Sequence, residues 1–144
     1  MLTRANLLIH TLCAKEESRF TLNGIFVRPD CTAETDGHQL VKVPTKLLPE
    51  GQEPQISERP PLRTWKPFIL GVKDCETLLK ALPKKCPVPA FEYAYIIEQT
   101  EESVTFAVIA DGQKTFTFTP LPGNFPDFER VMPKDENMVF HVGL

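Results

Sequence analysis

The carboxylates Asp36 and Asp127, four cysteines and three histidines are the residues whose types could carry chemistry in this chain. Paired carboxylates do general acid–base work when a fold holds them together. Here Asp36 sits in Thr-Asp-Gly-His and Asp127 in Phe-Pro-Asp-Phe, contexts in which a short polar side chain bonds its own backbone and shapes a turn. Cys13, Cys31, Cys75 and Cys86 lack the Cys-x-x-Cys or Cys/His spacing of a zinc or redox site and read as buried thiols. His10, His38 and His141 are too scattered to suggest a metal cluster. No nucleophile elbow, phosphate loop or Ser-His-Asp order appears. The sequence therefore predicts no catalytic residue, no metal and no cofactor, and an enzyme is its least supported class.

The elements that must position these residues come from an ordinary globular composition. The 144 residues are 42% hydrophobic and 24% charged, enough for one domain that buries about two-thirds of its unfolded surface. A net charge of −3 supplies no overall attraction to nucleic acid, so contact with DNA requires a local basic face. No apolar run reaches the roughly 18 residues of a membrane span. The opening MLTRANLLIHTL shows no small-residue cleavage site, and the expected location is cytoplasmic.

Apolar Leu2, Ala5, Leu8, Ile9 and Leu12 follow a helical rhythm. Val72, Cys75, Leu78, Leu79 and Leu82 repeat it 70 positions later, with Pro83 closing the second helix. Strand-like stretches follow each helix, at 19–27 and 39–43 in the first half and at 91–98, 103–110 and 114–119 in the second, where Asp111-Gly112 is a strong hairpin signal. The segment 45–67 holds five prolines and breaks both helix and ladder.

The expected organisation is one domain over 1–144. It comprises a first half 1–44, a proline-rich connection 45–66, a second half 67–133 and a strand-like tail 134–144. The expected class is α+β, with two repeated (β)αβββ units and both helices packed on one face of antiparallel sheet. The second half opens with a strand at 67–70, whereas the first half begins almost directly in its helix. The sequence thus predicts a missing N-terminal strand, which residues 138–144 could supply within the molecule or in a neighbour.

Several segments resemble the bacterial replicative sliding clamp, the beta subunit of DNA polymerase III. RFTLNGIFV is similar to that family's strand containing YLNG, TDGHQL to its TDGHRL, and ILGVKDCETLLKAL to its second helix with the strand before it. GNFPDFERVMP is similar to its G-x-[FY]-P-D-Y-x-R-V-x-P. Order and spacing agree over about residues 2–133, one clamp domain, most like the central one.

The resemblance implies a binding wall rather than a catalytic centre, made by Leu22, Thr35, Gly37, His38, Gln39, Leu40, Pro126, Arg130 and Val131. Such a wall captures short linear peptides of polymerase, loader or repair partners. Gln39 stands where the family has arginine. TDGH also reads as a plain tight turn, with Gly37 relieving strain and Asp36 bonding its own backbone.

On the second helix Lys73, Thr77 and Lys80 lie opposite the apolar stripe with Lys84 just beyond. A DNA-lining role through phosphate contacts suits them, and so does a simple solvated face. On the first helix Thr3, Leu7 and His10 form the corresponding face, with Arg4 alongside. Two binding readings remain open. One is a clamp-like replication or repair factor that assembles on DNA as a homo-oligomer, with about six copies closing a ring. The other is a monomeric peptide-binding adaptor or decoy that never encircles DNA.

Overall fold

The computed structural model describes residues 1–13, 23–47, 51, 59–85 and 88–132. Leu22, Cys86, His141, part of the proline-rich connection and the strand expected in the tail lie outside them. The described residues form eight strands and two α-helices. These are β1 Leu2–Thr3, α1 Arg4–Leu8, β2 Gly24–Val27, β3 Cys31–Thr35 and β4 Leu40–Pro44, then β5 Phe68–Gly71, α2 Val72–Ala81, β6 Tyr93–Gln99, β7 Val104–Ile109 and β8 Gln113–Phe118. A 3₁₀ turn, Ile9–Leu12, extends α1, and two more lie at Pro89–Glu92 and Phe128–Arg130.

The strands make two antiparallel four-stranded sheets, ordered β1-β6-β7-β8 and β4-β3-β2-β5. Each half lends its first strand to the other half's meander. β1 pairs with β6, Leu2 opposite Ala94, and β5 pairs with β2, Leu70 opposite Ile25. This is the pseudo-twofold organisation foreseen from the repeated pattern, in two sheets. The N-terminal strand expected to be missing is present as β1, too short to leave a periodic signal.

Strand alternation builds the core. Ile25 and Val27 of β2, Phe68 and Leu70 of β5, Ala94 and Ile96 of β6, and Val104, Phe106 and Val108 of β7 point inward with Leu7, Cys75 and Leu78 of the helices, as a period of two requires. Gly24 is needed where it stands, because a Cβ there would lie 2.5 Å from the Leu70 carbonyl oxygen. The hairpin at Asp111-Gly112 takes positive φ at both positions, 47° and 100°, the geometry that suits the strand twist.

The first helix departs from its sequence reading. Because Leu2 and Thr3 are strand, the helix starts at Arg4, with Thr3 as N-cap in a capping box with Asn6. The helix N-caps Thr3 and Gly71 are 68 positions apart, not the 70 of the apolar pattern. After one turn the winding tightens to 3₁₀, which rotates successive side chains differently. Counted from their N-caps, Leu7 and His10, expected on the outward face, take the places of the buried Cys75 and Leu78 and are buried, while Leu8 takes that of exposed Glu76 and is 47% exposed. On α2 the reading holds: Cys75 and Leu78 are buried, and Lys73, Thr77 and Lys80 are exposed.

Candidate functional site

The TDGH loop joins β3 to β4 and satisfies its own polar groups. Asp36 Oδ1 accepts from the amides of His38 and Gln39, both at 2.7 Å, Gly37 N donates to Thr35 Oγ1 at 3.1 Å, and Thr35 Oγ1 donates to the Gln39 carbonyl at 2.6 Å. Gly37 has φ 91°, a left-handed conformation that costs other residues strain. The amides of Gln39 and His38 hold the Asp36 carboxyl below the usual carboxylate range. The loop is rigid by local bonding, and Gly37, His38 and Gln39 are left exposed.

The second motif lies against the same sheet. After β8 the chain crosses β5, where Leu121 N donates to the Ile69 carbonyl at 2.9 Å. It then runs along the outward face of β4-β3-β2. Phe128 is buried there with Cys31 and Ala33, and Phe26, Leu40, Phe125 and Met132 pack around them. Phe125 stacks on Phe26 with centroids 4.9 Å apart, and Phe128 meets both edge-on. Leu40 of the first motif thus shares one apolar cluster with three residues of the second.

Of the residues expected in the wall, Thr35, Gly37, His38, Gln39 and Leu40 form one continuous loop. Arg130 ends the 3₁₀ turn that docks through Phe128, and Pro126 and Val131 lie on either side of it. Pro126 is exposed, Val131 is 73% exposed and the Arg130 side chain 85%. Leu22 lies outside the described residues. Asp127 is engaged by Arg130, with Nε 3.0 Å from Oδ2, and Asp36 by backbone amides, so both carboxylates serve turns.

Sequence reasoning missed the aromatic anchors Phe26, Phe125 and Phe128. Their signal was present, since Phe26 alternates outward between inward Ile25 and Val27. A groove of about 540 Å³ also opens beside them, lined in part by Phe26, Lys66, Gln99, Asn124 and Phe125.

The basic residues divide. Lys73, Lys80 and Lys84 are exposed along and beyond α2. Arg4 instead reaches the C-terminal end of that helix, where its Nη2 donates to the carbonyls of Leu82 at 2.8 Å, Pro83 at 3.3 Å and Leu79 at 3.5 Å. A cation there satisfies the carbonyls that a helix end leaves unpaired. Among the described residues no group of three or more His, Cys, Asp or Glu could hold a metal ion, and no helix is long and apolar enough to cross a membrane. Cys13, Cys31 and Cys75 are free and buried, and burial raises the pKa of each.

No family profile and no curated protein matches this sequence. Among solved structures the fold is similar to a crystal structure of the beta sliding clamp of C. crescentus, at a TM-score of 0.59 and 22% sequence identity. The match covers 93% of this chain and 34% of that one, so this chain spans about a third of its length. The chain has the α+β fold of a sliding-clamp domain, its described residues forming two α-helices and two antiparallel sheets.

Proposed function

We propose that this domain is a non-enzymatic, clamp-like replication or repair module that binds short linear peptides of polymerase-type partners. The wall is Leu40, Pro126 and Val131, bordered by Thr35, Gly37, His38, Gln39 and Arg130. The observation that carries this reading is the meeting of Leu40 with the Phe125-to-Met132 segment in one cluster on the outward face of β4-β3-β2. A rigid polar turn thereby stands beside exposed apolar side chains, the combination that peptide capture needs. Nothing in this arrangement performs chemistry.

A labelled peptide with a QLxLF core, titrated by fluorescence anisotropy, tests the assignment. Saturable binding is expected in the parent, weakened at least about tenfold in Leu40→Asp and in Val131→Asp, since a charge at the centre of a small apolar wall cannot be hydrated in the complex. Val131 is exposed, so its variant keeps the fold. Absence of binding in the parent, or binding in both variants as tight as in the parent, refutes the site.

For DNA, the exposed Lys73, Lys80 and Lys84 support phosphate contacts without sequence reading. The adaptor reading, a monomer that keeps the wall and does not encircle DNA, draws on α1. Its outward side presents Ala5 and Leu8, and its cation Arg4 is bonded to the end of α2. Light scattering separates the two. A closed oligomer retained on circular DNA supports assembly, and a monomer at micromolar concentration supports the adaptor.

A further inference from the structure

Glu129 occupies the position that the motif leaves free between its aromatic residue and its arginine, and here it is the centre of a charged device. Its Oε1 lies 3.0 Å from Arg28 Nη1 and 3.2 Å from Lys42 Nζ. The same two cations stand over the buried Phe128 ring, at 5.6 and 5.8 Å from its centroid. Arg28 follows β2 directly, and Lys42 lies in the middle of β4. Together they tie the 3₁₀ turn to both flanks of β3.

Asp30 fixes the guanidinium through two parallel bonds, Arg28 Nε to Oδ1 at 2.9 Å and Nη2 to Oδ2 at 2.8 Å. Arg28 is thus oriented before it meets Glu129. Isolated surface ion pairs contribute little. This one differs because its cations also lie on an aromatic ring and share a single acceptor.

The turn so held carries the proposed peptide wall: the amides of Val131 and Met132 both donate to the Phe128 carbonyl, at 3.2 and 3.1 Å. We infer that the Arg28–Glu129–Lys42 triad is a positioning device, distinct from the wall itself, that sets the orientation of Pro126, Arg130 and Val131. Peptide affinity then depends on a charge cluster the peptide does not touch. This inference rests on the peptide-binding reading, and it makes capture of even a neutral peptide sensitive to salt, because screening loosens the turn.

The test compares the parent with Glu129→Gln and Glu129→Asp, using the labelled QLxLF-core peptide at low and high salt together with amide hydrogen exchange. Glu129→Gln is expected to bind about five- to tenfold more weakly, lose the salt dependence and exchange faster at Val131 and Met132. Its Tm should shift by less than about 3 °C. Glu129→Asp should recover part of the affinity. If the parent binds and Glu129→Gln matches the parent's affinity at low salt and at high salt, the device plays no part in recognition. If the parent does not bind, the peptide reading fails by itself, and unchanged exchange at Val131 and Met132 then overturns the positioning role as well.

Discussion

Raising the pH from about 5.5 to about 8.5 is expected to lower the parent protein's unfolding free energy by about 3 kcal/mol relative to that of Glu34→Gln measured over the same range. Glu34 is on β3 and points into the core with 0% exposure; neither carboxylate oxygen has a hydrogen-bond partner of good geometry, and the nearby Cys13 thiol and Thr35 amide only partly oppose the effect of burial. Its surroundings are the Cys13 and Cys75 thiols, with Asp36 adding repulsion, and no cation contributes to its shift. Burial pushes its pKa up from 4.5 to about 8, so the folded protein holds a proton there at neutral pH that the unfolded chain has released.

A pKa raised in the folded state gives stability that is complete below 4.5 and is lost as the pH rises through about 8. Urea midpoints measured across this range check it. Glu34→Leu should exceed the parent at every pH above the carboxylate range, because an apolar side chain leaves no oxygen unsatisfied. A parent curve parallel to that of Glu34→Gln would refute the protonated core carboxyl.

Asn6→Ala is expected to cost about 3–4 kcal/mol, more than most single substitutions in a helix. Asn6 is fully buried. Its Oδ1 accepts from Thr3 N and Thr3 Oγ1, both at 2.9 Å, which closes the cap of α1. Its Nδ2 donates to Thr32 Oγ1 at 2.8 Å and to the carbonyls of Val43 and Pro44 at 3.1 Å, fastening the helix to β3 and β4. Removing the amide leaves buried groups on three elements unpaired. Thermal or urea unfolding measures the loss. A cost below about 1 kcal/mol would mean that water replaces these bonds, as it does at exposed caps.

The two substitutions mark where local pattern and tertiary structure part company. The second half was legible because α2 has a clean stripe and a proline behind it, β7 and β8 flank Asp111-Gly112, and the strand before α2 lies one residue from its expected place. The nearness of TDGH and FPDF was legible only through resemblance, since no periodicity brings Leu40 beside Phe128. β3 was missed because its inward positions hold Thr32 and Glu34, which erase the alternation of apolar and polar residues. Because the short strand β1 and the Thr3 cap start α1 at Arg4, its buried face is not the one the apolar pattern predicted. Arg4 looked like a free cation until the end of α2 was beside it.

The exchange of first strands between the halves has a consequence for how the chain acquires its structure. When the first half leaves the ribosome, β2 lacks its neighbour β5, and β1 must wait for β6. The inward faces of Ile25 and Val27 stay wet until most of the sequence has been made. Pairings this distant along the chain are slow to form, and unpaired apolar strand edges attract other chains meanwhile. Nascent first halves should thus be the vulnerable species, held back from association by whatever shields their edges until the second half has emerged.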